Sequence, residues 1–365
     1  MTLTIAVTGL NRGENPQPGP GIIRSLQRRY PDLTIIGLIY DVLESGVYAD
    51  DCADFIYHLP YPKAGHAALL ARFDYLLTKH SIDIFFPTLD SEIRGLLRIE
   101  NALADRGIKM LMPSKQSYEA CCKSELAQLT ERCGCQTPLT YSVVEVSGLR
   151  KAAHRLGYPL MVKGPFYGAY KVHSEADMVE RYHQIIAEWG GPVLLQRCVY
   201  GSEYDVIAVG DGQGGVGGWC TIRKTILSEK GKGFGGITIH DDKLDAIAFD
   251  LIKTLKWRGP LELEFLKDDA TNTYYLIEIN PRFPAWVDFP SSIDLNLPAL
   301  VVETLLHGVM DRLPPCEAGV FYVRHSVELT GRIDQLGQLS TSGELVCRGR
   351  GSRPPKEALA AAAVG

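Results

Sequence analysis

The sequence predicts an open parallel α/β domain followed by a larger α+β region. Three observations carry that expectation. Strand-like and helix-like runs alternate through residues 1–112, the pattern of a parallel sheet covered by helices. From Pro113 the alternation stops, and helices and strands follow in mixed order. Between 261 and 280 two strand-like runs flank a turn, with polar groups at every second position. At 365 residues the chain suits two or three domains, and its 45% hydrophobic content is ample to fill their cores.

In the first region TIAVTGL (4–10), LTIIGLIYD (33–41), IDIFFPTL (82–89) and IKMLMP (108–113) read as strands. IIRSLQRRY (22–30), AALLARFDYLLTKH (67–80) and a stretch from about 91 to 105 read as the covering helices. The loop GLNRGENPQPGPG (9–21) ends a strand and opens a helix, so its backbone N–H groups are placed to meet an anion, although it does not spell GxGxxG. PTLDSE (87–92) sets Asp90 and Glu92 at the carboxyl end of a strand, where open α/β sheets bind ligands. The same two acids are equally suited to capping a helix N-terminus.

In the second region a helix opens at Ser114 or Ser117 and another covers 123–133. Then come strand 135–144, helix 146–156, strand 158–165, helix 176–189 and strand 192–199. Residues 210–236 are glycine-rich around a strand-like WCTIRKTIL (219–227), and a helix over 244–256 leads into the hairpin. GVFYVRHSVEL (319–329) is strand-like. The expected limits are thus 1–112, 113–335 and a partly disordered C-terminal extension over 336–365.

With 38 basic and 43 acidic residues spread along the chain, nothing forms a footprint for nucleic acid. No apolar run reaches the ~18–20 residues that span a bilayer, and the N-terminus lacks the basic start of a signal peptide. The expected setting is cytoplasmic, away from membranes, with small molecules as partners and a homodimer allowed. Nine cysteines is an odd number, and the cluster Cys121, Cys122, Cys133 and Cys135 lacks both CxxC spacing and a nearby histidine, so reduced thiols are expected rather than a zinc site.

The hairpin carries the chemistry. Alternation puts Glu278, Asn280 and Arg282 on one face of YYLIEINPRF (274–283). If Lys267 pairs with Tyr275, Glu264 lies opposite Glu278 and Glu262 opposite Asn280. Like charges directly opposite one another destabilise a sheet, so this face needs a cation. Carboxylate and amide oxygens are hard ligands that suit one or two Mg2+ ions bound with ATP. A solvated polar face is the alternative. Lys123, at the start of a helix, and Lys163, at the end of a strand, are candidate phosphate cations.

KSELAQLTERCGCQTP (123–138), GYPLMVKGP (157–165), LLQRCVYGSEYDV (194–206) and LELEFLKDDATNTYYLIEINPRF (261–283) occur in an order that resembles the ATP-grasp superfamily, particularly its carbamoyl-phosphate synthase and biotin carboxylase branch. The resemblance implies a pre-ATP-grasp domain and then two α+β subdomains that clasp ATP, the smaller lid spanning about 140–200. It implies that Lys123 and Lys163 hold the α- and β-phosphates. Gln196, Arg197, Cys198 and Val199, in a hinge beginning at Leu195, would meet adenine, and Glu203 the ribose. Glu264, Glu278 and Asn280 would bind Mg2+, with Mn2+ able to substitute, and Arg282 would face the γ-phosphate beside Lys163 and Asn280 as the catalytic set. Phosphoryl transfer needs this kind of positioning and charge neutralisation more than covalent help.

Three departures from the family pattern stand out. The loop after Lys163 carries only Gly164 and Gly168, with Phe166 and Tyr167 between them; Gln196 and Arg197 replace an acidic hinge residue; and Phe283, Trp286 and Phe289 follow the motif. Trp286 is a candidate for an acceptor pocket, with core packing as the alternative. Arg223 and Lys224 are candidates for a substrate carboxylate or phosphate, Lys230 and Lys232 for a second lid, and Asp90 and Glu92 for a substrate amine. The implied activity is an ADP-forming carboxylate–amine ligase that works through an acyl phosphate on an amino acid, peptide or similar small carboxylate. A non-catalytic ATP-binding subunit or sensor and a small-molecule kinase are the alternatives.

Overall fold

The structure, a computed structural model, describes residues 3–347 apart from 14, 50, 52, 124, 165–167 and 229–232. The chain divides into two compact units, one of residues 1–110, 285–288 and 326 onward, the other of residues 111–284 and 289–325. Among the described residues no helix is long and apolar enough to cross a membrane.

The first unit is built on β1 (Thr4–Thr8), which pairs in parallel with β2 (Thr34–Ile39) and with a short strand at Ile84–Phe86. Between them in sequence lies β3 (Phe55–His58), parallel to β2; taking the chain in order, Ile84–Phe86 is β4. All five residues of β1 are buried, as a central strand covered on both faces requires. Helices α1 (Gly19–Arg29), α2 (His66–Leu77) and α3 (Asp90–Ala104) belong to this unit. The expected strand 108–113 is reduced to a single parallel bridge from Lys109 to Ile84. The segment expected as an extension instead contributes a helix, Ile333–Ser342, and an edge strand, Glu344–Val346, antiparallel to β3. Glu344 anchors that strand through Lys79, 2.6 Å away. The tail beyond 347 lies outside the described residues.

Glu92 takes the helix-capping role in this unit. It is 2% exposed, and its Oε1 accepts from Thr8 Oγ1 (2.6 Å), Thr88 N (2.7 Å) and Leu89 N (2.9 Å) while its Oε2 accepts from Tyr40 OH (2.8 Å). One carboxylate therefore ties the ends of β1, β2 and β4 to the first turn of α3 and has no oxygen left over for a substrate amine. Burial raises its pKa above the ordinary range despite these donors. Asp90 opens α3, in the same unit.

The second unit holds two antiparallel sheets. Short helices α4 (Lys115–Ala120), capped by Ser114, and α5 (Leu126–Arg132) precede the smaller one. That sheet, in the order β5-β8-β6-β7, joins β5 (Thr140–Val143), β6 (Leu160–Lys163), β7 (Ala169–Val172) and β8 (Val193–Arg197). Helices α6 (Val146–Leu156) and α7 (Glu175–Trp189) close its apolar side, with Leu149, Met178 and Ile185 packed on Leu160, Val162 and Leu195.

The larger sheet contains β9 (Gly201–Asp211), β10 (Val216–Leu227), β11 (Gly233–Thr238), β12 (Arg258–Asp268), β13 (Tyr274–Asn280) and β14 (Phe321–Val323), in the order β13-β12-β9-β10-β11-β14. Helix α8 (Asp242–Leu255), capped by Asp241, buries Leu244, Ala248, Leu251 and Ile252 against the odd-numbered Leu261, Leu263 and Phe265 of β12. The opposite face of β12 thereby presents Glu262 and Glu264.

Replacing Glu92 by alanine removes an acceptor from four donors, of which Thr88 N keeps a second acceptor in Thr8 Oγ1 at 3.0 Å. It should cost about 3 kcal/mol of unfolding free energy in urea, whereas Glu92→Gln, which keeps an acceptor oxygen, should cost clearly less. Equal losses in the two variants would contradict this role for the carboxylate.

Candidate functional site

The β12–β13 hairpin places its polar groups by a bulge. Glu264 lies opposite Glu278 and Glu262 opposite Asn280, as expected, but Lys267 pairs with Tyr274 rather than Tyr275. The register shifts between Glu264 and Phe265, leaving Ile277 as the extra residue on β13. The shift has a physical reason. Tyr274, Leu276 and Ile279 all enter the core, so the buried face of β13 passes from even to odd numbering at Ile277. Without the bulge, Glu278 and Asn280 would share the core face with Tyr274 and Leu276.

On the polar face, carboxylates and cations alternate. Arg282 Nη1 lies 2.6 Å from Glu262 Oε2, and Asn280 Nδ2 donates to both Glu262 Oε2 and Glu264 Oε1 at 2.9 Å. Arg282 stands two residues beyond the end of β13. Lys123 Nζ is 3.1 Å from Glu278 Oε1. Lys224, on β10, is 3.0 Å from Asp205 Oδ1, 3.0 Å from Glu264 Oε2 and 3.3 Å from Glu203 Oε2. Burial opposes the charge on Lys224, but Asp205, Glu264 and Glu203 outweigh it and hold the ammonium well above its ordinary pKa.

Lys163 ends β6 and feels this cluster differently. Burial pulls its pKa down to about 8, and the nearby positive Lys123 adds to that, while Glu278 and Glu264 oppose it. An ammonium so destabilised is one that gains from an arriving anion.

Two members of the cluster were not among the expected site residues. Glu262 entered only as the partner of Asn280, and Asp205 was missed. Asp205 sits on β9 directly opposite Glu264 and is 1% exposed. Its signal lies in GSEYDV, where Glu203 and Asp205 alternate with the buried Tyr204 and Val206, the same pattern that marks the hairpin.

The remaining expected residues fall as follows. Gln196 is buried at 6% exposure and its Nε2 donates to Thr140 Oγ1 at 2.9 Å, so its side-chain amide is engaged within the smaller sheet. Arg197 closes β8, and Cys198 and Val199 lie in the link to β9. Arg223 donates to Ser202 Oγ at 3.0 Å. Trp286 belongs to the first unit and is buried, in line with core packing; Asp288, also in that unit, is held by Arg24 at 2.8 Å and Arg28 at 3.3 Å. Phe283 is buried, and Phe289 packs on Tyr322 with ring centroids 4.9 Å apart. Phe166, Tyr167, Lys230 and Lys232 lie outside the described residues.

No family model matches the chain. It is 27% identical over 213 residues to the arginine-specific carbamoyl phosphate synthase large chain of Lactiplantibacillus plantarum, a match that covers 54% of this chain and 19% of that one. It is 24% identical over 231 residues to a D-alanine–D-alanine ligase of Thermoanaerobacter, covering 55% of this chain and 62% of the relative. Among solved structures, an L-amino acid ligase from Bacillus licheniformis superposes with a TM-score of 0.64 at 16% identity, over 84% of this chain and 74% of that one. The chain has the fold of ATP-grasp enzymes. It spans less than two thirds of the length of these curated relatives.

By its donor set the hairpin fits a hard divalent cation: Glu264 and Glu278 carboxylates and the Asn280 amide, whose Nδ2 is taken up by Glu262 and Glu264 so that Oδ1 would be the ligand atom. Among the described residues no three acidic, histidine or cysteine groups enclose a metal ion by themselves. A Mg2+ here would complete its shell with water and phosphate oxygens, as that ion ordinarily does.

A charged Lys163 should contribute to nucleotide affinity below about pH 8, and its loss of the proton should weaken binding above that. Calorimetric titration of Mg-ADP from about pH 7 to pH 9.5 should show affinity falling by up to about tenfold per pH unit once the lysine titrates. Lys163→Arg, which stays protonated, should flatten the profile. Parallel profiles in the two proteins would remove Lys163 from the phosphate site.

Proposed function

We propose that this chain is an ADP-forming carboxylate–amine ligase acting on an amino acid, a peptide or a similar small carboxylate. The observation that carries this reading is the gathering, within one unit, of Lys123, Glu264, Glu278, Asn280 and Arg282 around a single hairpin face, with Lys163 close enough for their charges to move its proton. An L-amino acid ligase and a D-alanine–D-alanine ligase among the similar proteins favour an amino-acid acceptor.

In this reading the backbone from Leu195 to Val199 receives adenine and Glu203 the ribose hydroxyls. Lys123 exchanges Glu278 for the nucleotide phosphates, and Lys163 meets them from the smaller sheet. Glu278, Asn280 and Glu264 supply the oxygens for Mg2+, which when bound neutralises phosphate charge. Arg282, oriented by Glu262, turns its guanidinium to the γ-phosphate, a planar fork that fits two phosphate oxygens at once. The acceptor carboxylate attacks the γ-phosphorus and ADP departs. The amine nitrogen then attacks the acyl carbon, phosphate leaves with the bond it held, and the amine loses a proton to give the amide.

The test is ADP release from Mg-ATP over a panel of amino acids and other carboxylates, alone and in pairs, with Glu278→Gln as the control. The proposal expects one pair to stimulate release and the control to abolish it. Arg282→Lys should lower kcat by about 10²-fold or more while leaving ADP affinity within a few-fold, since the guanidinium acts on charge that develops in the transition state. AMP in place of ADP, or a stable phosphorylated product formed without an amine, would overturn the ligase reading.

A further inference from the structure

Two thiols that the nucleotide reading does not use meet inside the second unit. Cys220, on β10, is fully buried, and Cys316, 96 positions further along the chain, is 8% exposed; their sulfurs lie 3.6 Å apart. A close approach of one backbone to another brings them together. After the helix Leu297–His307 the chain runs without regular structure from 309 to 320 and then enters β14. This strap crosses β10 at Gly217 and Gly218. A Cβ on Gly217 would sit 2.5 Å from Met310 Sδ and 3.0 Å from Asp311 O, and one on Gly218 2.8 Å from Leu297 Cδ2 and 3.3 Å from Leu313 Cδ1, which leaves room there for hydrogen alone. Leu313 N donates to Gly217 O at 2.7 Å; further on, Gly319 N donates to Thr238 O and Thr238 N to Val320 O, each at 2.8 Å. The strap is thus held at both ends, and Cys316 lies between the two holds, against Cys220.

The two sulfurs are not equivalent. With both thiols protonated, Cys316 donates to Cys220. When Cys316 ionises, Cys220 donates to it in turn, and together with the backbone N–H groups of Cys316 and Thr221 this holds Cys316 below the ordinary thiol range despite its burial. The same bond, and then burial, pushes Cys220 well above that range. Cys316 is also the more exposed of the two. It is therefore the sulfur suited to attack a small oxidant, and Cys220 the one suited to resolve what forms.

We propose that Cys220 and Cys316 are a reversible dithiol–disulfide pair, oxidised by hydrogen peroxide, whose disulfide fastens the strap to β10. The Cys316 thiolate attacks one peroxide oxygen; the O–O bond breaks, and the departing hydroxide takes up the proton that Cys316 had released. Cys316 then carries a sulfenic OH. The Cys220 sulfur attacks the Cys316 sulfur, the S–S bond forms as the S–O bond breaks, and the Cys220 proton leaves with that hydroxide as water. Two thiols and one peroxide give one disulfide and two waters, the peroxide gaining the two electrons that the sulfurs lose. Exchange with a thiol reductant restores the pair.

The experiment exposes the full chain, reduced and then freed of reductant, to a small molar excess of hydrogen peroxide, alkylates the remaining thiols in denaturant, and maps the peptides by mass spectrometry without reduction. A dominant cross-link between the Cys220 and Cys316 peptides should appear, absent before oxidation and lost on treatment with dithiothreitol. The thermal unfolding midpoint of the oxidised chain should stand several degrees above that of the reduced chain, because the bond closes a long loop. Neither Cys220→Ser nor Cys316→Ser should show that rise. In Cys220→Ser the sulfenic acid on Cys316 has no resolving thiol and should be captured by dimedone, whereas Cys316→Ser should give no adduct at Cys220. Peroxide that consumes the exposed Cys122 and leaves Cys220 and Cys316 open to alkylation would overturn the proposal, and so would a cross-link that forms only in the unfolded chain. The peptide map is made on the wild type, so it decides the matter even where a serine variant fails to fold.

Discussion

Acidic side chains facing one another across adjacent strands are the constraint on which the rest of this structure depends. Glu264 opposes Glu278 on β13 and Asp205 on β9, and Glu262 lies two residues away on the same face. At the spacing of cross-strand neighbours, two bare carboxylates repel by about 3 kcal/mol at an effective dielectric constant of ~20. A sheet with several such pairs would not hold its register unless the charge were answered locally. Lys224, Arg282 and Lys123 answer it, each from a different element, and the Asn280 amide bridges what remains. Two of these cations, Lys123 and Arg282, are the ones that the proposed function gives to an incoming polyphosphate.

Packing on the other face fixes this arrangement. Helix α8 buries the odd-numbered residues of β12, which turns Glu262 and Glu264 outward. On β13 the bulge at Ile277 lets Tyr274 and Leu276 on one side, and Ile279 on the other, enter one core while Glu278 and Asn280 face the acids of β12. The bulge thus re-aims two side chains that strict alternation would have buried. In the first unit Glu92 solves a similar problem by a different route, since its charge is met by four hydrogen-bond donors and no cation.

Much of this was legible in the residues. Alternating apolar runs marked β1, β2 and β4, and the E-x-N-P-R run marked β13 and its partner. The pairs Glu264–Glu278 and Glu262–Asn280 followed from counting across the turn, although the count was anchored at Lys267, on the far side of a bulge that no residue type announces. Strand β3 was hidden because FIYH is short and follows a run of acids, and its partner at Glu344–Val346 lies almost 300 residues away, beyond the range of any local pattern. Asp205 looked like one more charge in a polar stretch, because its meaning comes from β12, its neighbour in space. Lys224 was readable as a cation but not as a buried one; its three carboxylate partners come from β9 and β12, which only the sheet order brings together.

The most direct test of this account is a crystal structure of the chain with Mg2+ and a non-hydrolysable ATP analogue. The account predicts the polyphosphate lying over the β12–β13 hairpin, with Lys123 detached from Glu278 and turned to phosphate oxygens, Lys163 on the same oxygens, and metal on Glu278 and Asn280. It also predicts Lys224 still held by Asp205 and Glu264. A nucleotide bound elsewhere, or one bound here with Lys123 still paired to Glu278 and no metal on the hairpin, would contradict it.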